Sequence, residues 1–219
     1  AIPKLAHRYK APIISTPYAT ELISQQIRGE RKFGVNNKLV ALSAGQRFTI
    51  SPNLVLEFVR TQHSIIDTVT PVLHTPHGAI VYACDFKFDR TPVIGLPPDF
   101  ARFRQIGKEG VLALIVESTY IHRPGRCPSE RIARDLVRDV ITSFEDDKNA
   151  IIVSTFSSHI SRVKTIAECA HEIGRKPVLL GRSMEKYSVT AEQMKLVSFP
   201  ETTSVFGNRR TVDRTMRRM

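Results

Sequence analysis

A change in hydrophobic period near residue 126 limits the possible folds of this chain more than any other feature. Before it, apolar residues come in short runs: "KAPIIST" and "LVLEFVR" read as strands, and "VTPVLHTPHGAIVYAC" as two strands joined through Pro76, His77 and Gly78. The run "GVLALIVE" is continuously apolar, the pattern of a strand buried on both faces. After residue 126 the period lengthens. "PSERIARDLVRDVITSFED" sets Ile132, Leu136, Val137, Val140, Ile141 and Phe144 on one helical face behind Ser129, a residue type suited to capping a helix start. "NAIIVSTF" predicts a strand, and Ile160, Val163, Ile166, Ala167, Ala170 and Ile173 form the apolar face of a second helix ended by Gly174. "KPVLLG" is the next strand. Strand, helix and strand in that order make a Rossmann-like βαβ unit. The expected class is α/β in two domains, residues 1–125 and 126–219, divided within "RPGRCP".

Composition narrows the function. With 42% hydrophobic and 24% charged residues, 219 residues can bury one large core or two modest ones. No apolar run approaches the roughly 20 residues needed to span a bilayer, and no signal peptide opens the sequence, so a cytoplasmic protein without a membrane partner is expected. Cys84, Cys127 and Cys169 lack CxxC spacing and read as reduced thiols rather than a disulfide framework. The net charge of +11 favours a polyanionic partner, foremost nucleic acid. The sequence opens inside apparent structure, "AIPKLAHRYKAPIISTP", and stops within a basic, helix-like stretch, "RTVDRTMRRM", so an internal fragment is expected.

Chemistry concentrates where strands end. His63 comes three residues after "LVLEFVR", Asp85 follows "AIVYAC", and Glu117 closes "GVLALIV". Imidazole and carboxylate are zinc donors, and strand ends can bring such residues to one rim of a sheet. One His and one Asp do not complete a tetrahedral site, and a lone His after a strand is by itself ordinary.

The segments "TQHSIIDT", "CDFKFDRTPVIGLPPDF", "GKEGVLALIVESTY", "RPGRCPSE", "IIVSTFSSHISR" and "GRSME" resemble, in order and spacing, the RNase J family of metallo-β-lactamase-fold nucleases with a β-CASP insertion. "ESTY" and "RTQHSIIDTV" look most like its archaeal branch. The resemblance implies a partial metallo-β-lactamase (αββα) domain in 1–125 and a partial β-CASP domain in 126–219. It also implies two Zn²⁺ ions per complete site, with His63 and the bridging Asp85 as metal ligands. No HxHxDH loop occurs, so the other ligands are expected outside the sequence. Glu117 matches an acidic residue beside the metals, catalytic in the broad sense together with Asp85, and Asp67 is a candidate for similar support. Cys84 stands where relatives commonly have Gly, and its thiol could compete for zinc.

Substrate binding is expected in the second half. Ser157 and Ser158 lie at a strand-to-helix loop whose backbone N–H groups could cradle a phosphate, Arg162 one turn on could add a charged fork, and Arg182 and Ser183 follow the next strand. Capping of the helix alone is the competing explanation for the serines. His159 is not expected to be catalytic, and His7, His74, His77, His122 and His171 are expected at the surface. The implied activity is metal-dependent hydrolysis of RNA, 5′ to 3′ from an end, with RNA as partner and a homo-oligomer left open. A DNA-acting or endonucleolytic relative, a small-molecule metallo-hydrolase and a non-catalytic RNA-binding paralogue are the alternatives.

Overall fold

The computed structural model describes residues 2–30, 34–144 and 149–207. They form two compact units. The first comprises most of the chain to Cys127, and the second runs from Pro128 and takes in Ser64–Ile66 and Thr91–Ile94. The basic stretch at 210–219 lies outside the described residues.

In the first unit, α1 (Ile2–Tyr9) precedes a short parallel pair, β1 (Ile13–Ser15) with β2 (Leu39–Ala41), around α2 (Pro17–Gly29). A five-stranded sheet follows in the order β3-β4-β5-β6-β7, from β3 (Arg47–Ser51), β4 (Leu54–Arg60), β5 (Val69–Thr75), β6 (Gly78–Ala83) and β7 (Val111–Val116). The hairpin expected at Pro76-His77-Gly78 is present, with Thr75 facing Gly78. Gly78 sits at φ +125°, a backbone conformation that residues with a side chain rarely adopt, so glycine is favoured there. Between β6 and β7 the chain crosses over through α3 (Phe100–Glu109), whose start is capped by Asp99 accepting from the Arg102 amide at 2.9 Å. Val59, Val72, Ala79, Val81 and Ile106 form the core between sheet and helix, with Phe103 packed against it.

A single carboxylate ties these layers together. Glu57 of β4, 3% exposed, accepts from Arg102 of α3 (Nε to Oε1 2.6 Å, Nη2 to Oε2 2.9 Å) and from Arg47 of β3 (3.2 Å), and lies 2.7 Å from Nε2 of His74 in β5. His74 is therefore a half-buried hydrogen-bond partner of Glu57 rather than the plain surface residue expected. Burial works to raise the Glu57 pKa, but the bonds from Arg102 and His74 outweigh it and hold it near about 2 instead of 4.5.

Two expectations of burial fail. The run in β7 was expected to be covered on both faces, yet all six residues are exposed, Leu114 at 61%. As the last strand of the sheet, β7 pairs only with β6 among the described residues. In the second unit, α4 (Glu130–Thr142) is capped by Ser129 as expected, but Ile132, Leu136 and Val140 are exposed while Ile141 is buried. The α5 helix (Ile160–Glu172) buries a broader arc than its apolar residues alone, adding Ser161, Thr165 and Cys169 to Ile160, Val163 and Ala167. Gly174, at φ +68°, follows its end.

The expected strand at 149–156 is absent. Residues 150–156 are irregular, with Ile152 93% and Phe156 80% exposed, and the Asn149 carbonyl accepts from Arg175 at 2.6 Å rather than from a strand neighbour. The βαβ unit instead lies two elements later. Here β8 (Val178–Leu180), α6 (Arg182–Gln193) and β9 (Ser204–Phe206) form a parallel crossover with Leu179 opposite Val205.

Replacing Glu57 with Ala strands Arg102, Arg47 and His74 against one another and should cost about 3 to 5 kcal/mol in urea unfolding. Because the folded pKa is depressed, this stabilisation is complete above pH 4.5 and fades as pH falls toward about 2. The stability difference between wild type and Glu57→Gln should shrink across that window. A difference constant with pH would show that the Glu57 charge does not hold the layers.

Candidate functional site

Strand direction decides where the candidate residues emerge. Because β4 and β6 are each antiparallel to β5, and β7 is parallel to β6, the carboxyl ends of β4, β6 and β7 share one edge of the sheet. His63 lies three residues past the end of β4, Asp85 two past β6, and Glu117 directly follows β7. An isolated antiparallel bridge between Gln62 and Lys87 draws the His63 and Asp85 loops together. His63 and Asp85 are exposed and Glu117 is half-buried. The Glu117 carboxylate accepts from the Thr119 amide at 2.7 Å, and the Thr119 contacts keep its pKa below the usual carboxylate range, with a smaller contribution from nearby His63. Glu117 is thus an ionised acceptor, suited to orienting a donor rather than giving up a proton.

As a metal centre this rim is a partial fit. His63 and Asp85 are zinc-type donors presented to solvent, but among the described residues no group of three or more His, Cys, Asp or Glu gathers to hold an ion. Cys84 does not enlarge the set. Burial pushes its thiol pKa up, and Sγ turns back toward the Tyr82 carbonyl at 3.9 Å. Asp67 faces elsewhere as well. At φ +62° it accepts from the Tyr18 amide at 3.4 Å and from the Thr16 side chain, so it caps the start of α2 across 49 residues.

In the second unit, His159 rather than either serine stands at the N-cap of α5, making no side-chain cap bond. Ser157 and Ser158 occupy the half-buried turn before it. Arg162 is committed to Glu130 of α4, with Nε at 3.0 Å and Nη2 at 2.7 Å from the same oxygen, and His159 Nε2 lies 3.5 Å from the other. Burial works to raise the Glu130 pKa, while bonds from His159 and Arg162 prevail and hold it near about 2. Sequence reading missed Glu130, which stood only as one polar residue of an amphipathic helix. The signal that could have found it is its place in the first turn directly after Ser129, where a carboxylate suits the helix dipole. Arg182 and Ser183 are exposed in the first turn of α6, at the carboxyl end of β8.

Comparison with known proteins gives one consistent answer. Residues 148–216 match the family model described as Ribonuclease J, beta-CASP domain. The chain is 49% identical over 213 residues to Ribonuclease J of Methanocaldococcus jannaschii, covering 97% of this chain and 48% of that protein. It is 41% identical over 198 residues to Ribonuclease J of Pyrococcus abyssi (90% and 44%) and 32% over 206 residues to that of Helicobacter pylori strain J99 (91% and 28%). The chain spans about half or less of the length of these relatives. A solved structure of a protein of unknown function from Enterococcus faecalis V583 shares the fold, with TM-score 0.54 and 15% identity over 89% of this chain and 49% of that one.

The Glu130–Arg162 pair gives a direct test. Arg162→Ala removes both guanidinium bonds to the buried Glu130 carboxylate, and should cost about 1 to 3 kcal/mol of unfolding free energy. The double variant with Glu130→Gln should recover part of that loss. Strictly additive effects in the double-mutant cycle would show that the two side chains are not coupled.

Proposed function

We propose that this chain, which belongs to the Ribonuclease J family, is part of a metal-dependent ribonuclease. Its first unit would be a metallo-β-lactamase-type portion, and its substrate the phosphodiester backbone of RNA, degraded from the 5′ end. The observation that carries this reading is the shared sheet edge. Three strands of one direction deliver His63, Asp85 and Glu117 to the same rim, the arrangement expected of a half-built metal site.

His63 and Asp85 would hold part of a zinc centre at that rim, and the metal would supply a water nucleophile active near neutral pH and offset charge on the phosphorus oxygens. Further ligands would come from sequence outside these 219 residues. Glu117, kept ionised by its own loop, would accept a proton-bearing ligand's hydrogen bond and fix its orientation. In the second unit, Ser157, Ser158, Arg182 and Ser183 would meet the RNA backbone at helix starts, where N–H groups point outward. Arg162 has Nε and Nη2 on Glu130, so its contribution to a phosphate is the remaining edge of the guanidinium. The positive charge of +11 supports a polyanionic substrate.

In the full-length protein, Asp85→Ala should abolish RNA hydrolysis and lower zinc content while RNA affinity changes little, because affinity rests mainly on Lys and Arg. The 219-residue chain alone should bind well under two zinc ions per molecule and cleave neither RNA nor a matched DNA. Substantial turnover by Asp85→Ala with its metal intact, or robust metal-dependent cleavage by the 219-residue chain, would overturn the reading.

A further inference from the structure

Three residues beyond Asp85, the chain presents a phenyl ring to solvent. Phe88 is 56% exposed. A single exposed apolar side chain is ordinary, but this one is caged. Its centroid lies 4.9 Å from that of Phe86, 5.5 Å from Phe100 and 5.9 Å from Phe103. Phe103 is packed against the core of the first unit, so the cage is anchored below. The ring is therefore held in one orientation with much of its surface open.

An exposed cation stands nearby. Arg90 lies over the Phe100 ring at 5.2 Å and is itself exposed, whereas Lys87 is paired with Asp89, its amine 3.9 Å from that carboxylate. A rigid, open aromatic surface beside an exposed arginine matches the chemistry of an unpaired nucleobase on an anionic backbone. The base stacks on the ring, the arginine meets phosphate, and little side-chain entropy is lost because the ring is already fixed. Tyr120 offers a contrast. It too lies three residues past a rim carboxylate, Glu117, and is 63% exposed, but Arg123 already covers its ring at 5.2 Å.

We propose that Phe88 is a stacking platform for one base of single-stranded RNA, placed beside the rim that carries Asp85. The proposal rests on the ribonuclease reading and adds a base subsite to it. Stacking tolerates every base, so the subsite would grip RNA without selecting sequence, as a processive ribonuclease requires.

The chain contains no tryptophan, so Phe88→Trp creates a single fluorescent reporter. With EDTA present, titrating the 219-residue chain with a short single-stranded RNA should quench that fluorescence in step with binding measured by anisotropy. Phe88→Ala and Phe88→Leu should both weaken binding by about tenfold, the scale of one base–aromatic stack. The salt dependence should stay unchanged, because no phosphate contact is lost. Removing bases one at a time from the RNA should expose one position whose loss weakens wild type but not Phe88→Ala. Normal thermal unfolding of the variants guards against misfolding. RNA binding without quenching, or a Phe88→Leu variant as tight as wild type, would overturn the stacking platform while leaving the ribonuclease reading intact. A wild-type chain that binds no RNA would overturn both.

Discussion

One buried carboxylate fixes the geometry from which the rest follows. Glu57 stands where β3, β4, β5 and α3 meet, with its acceptor oxygens facing Arg47, His74 and Arg102. A carboxylate removed from water is tolerable only when its charge and its lone pairs are answered, and here two arginines and a histidine do so together. The pairing also ties α3 to the sheet, because Arg102 of the helix reaches Glu57 on β4. The same helix forms the β6–α3–β7 crossover, which runs β7 parallel to β6. The parallel direction in turn delivers Glu117 to the edge already holding His63 and Asp85. The ion pair that ties the crossover helix to the sheet thus bears on the position of Glu117 at the rim.

The second unit repeats the device on a helix pair. Glu130 draws Arg162 and His159 of α5 onto α4, and the α5 start is therefore organised by a side chain 29 residues earlier rather than by its own serines. This changes what the cationic groups at that helix start can do. An arginine already neutralised at one oxygen brings less attraction to a phosphate than an unpaired one, and more directional control.

Much of the fold was legible from the sequence where its information is local. The Pro76–Gly78 hairpin, the strand at Leu54–Arg60 and the Ser129 cap each follow from a few adjacent residues. The placement of His63, Asp85 and Glu117 after strands was legible too, although their shared edge depends on strand directions that the chain does not announce. What failed was non-local. Val111–Val116 carries the pattern of a strand covered on both faces, but the pattern states that burial is favourable without naming the surface that provides it. The same holds for Ile132, Leu136 and Val140 on α4. At 150–156 the β-branched residues promised a strand, and promise alone does not supply a ladder partner. Asp67, expected to support the metal site, and His74, expected at the surface, are placed otherwise for a related reason. Their partners, the Tyr18 amide and the Glu57 carboxylate, lie 49 and 17 residues away.

Polar groups in this chain are used in two ways, and exposure separates them. Glu57 and Glu130 are buried, paired and held ionised by cations, which suits a structural task. Glu117 is also ionised, but through its own loop at Thr119, so its remaining acceptor capacity is available to another group. Asp85 and His63 stand in solvent at the edge, where a donor pair can be completed by ligands from elsewhere without first dismantling the fold. Phe88 follows the same logic in apolar form. It is fixed from behind by Phe86, Phe100 and Phe103 and open in front, so its orientation is settled before anything binds. Under the proposed function, residues held in these ways would meet metal and nucleic acid with little rearrangement, the condition for preorganised chemistry.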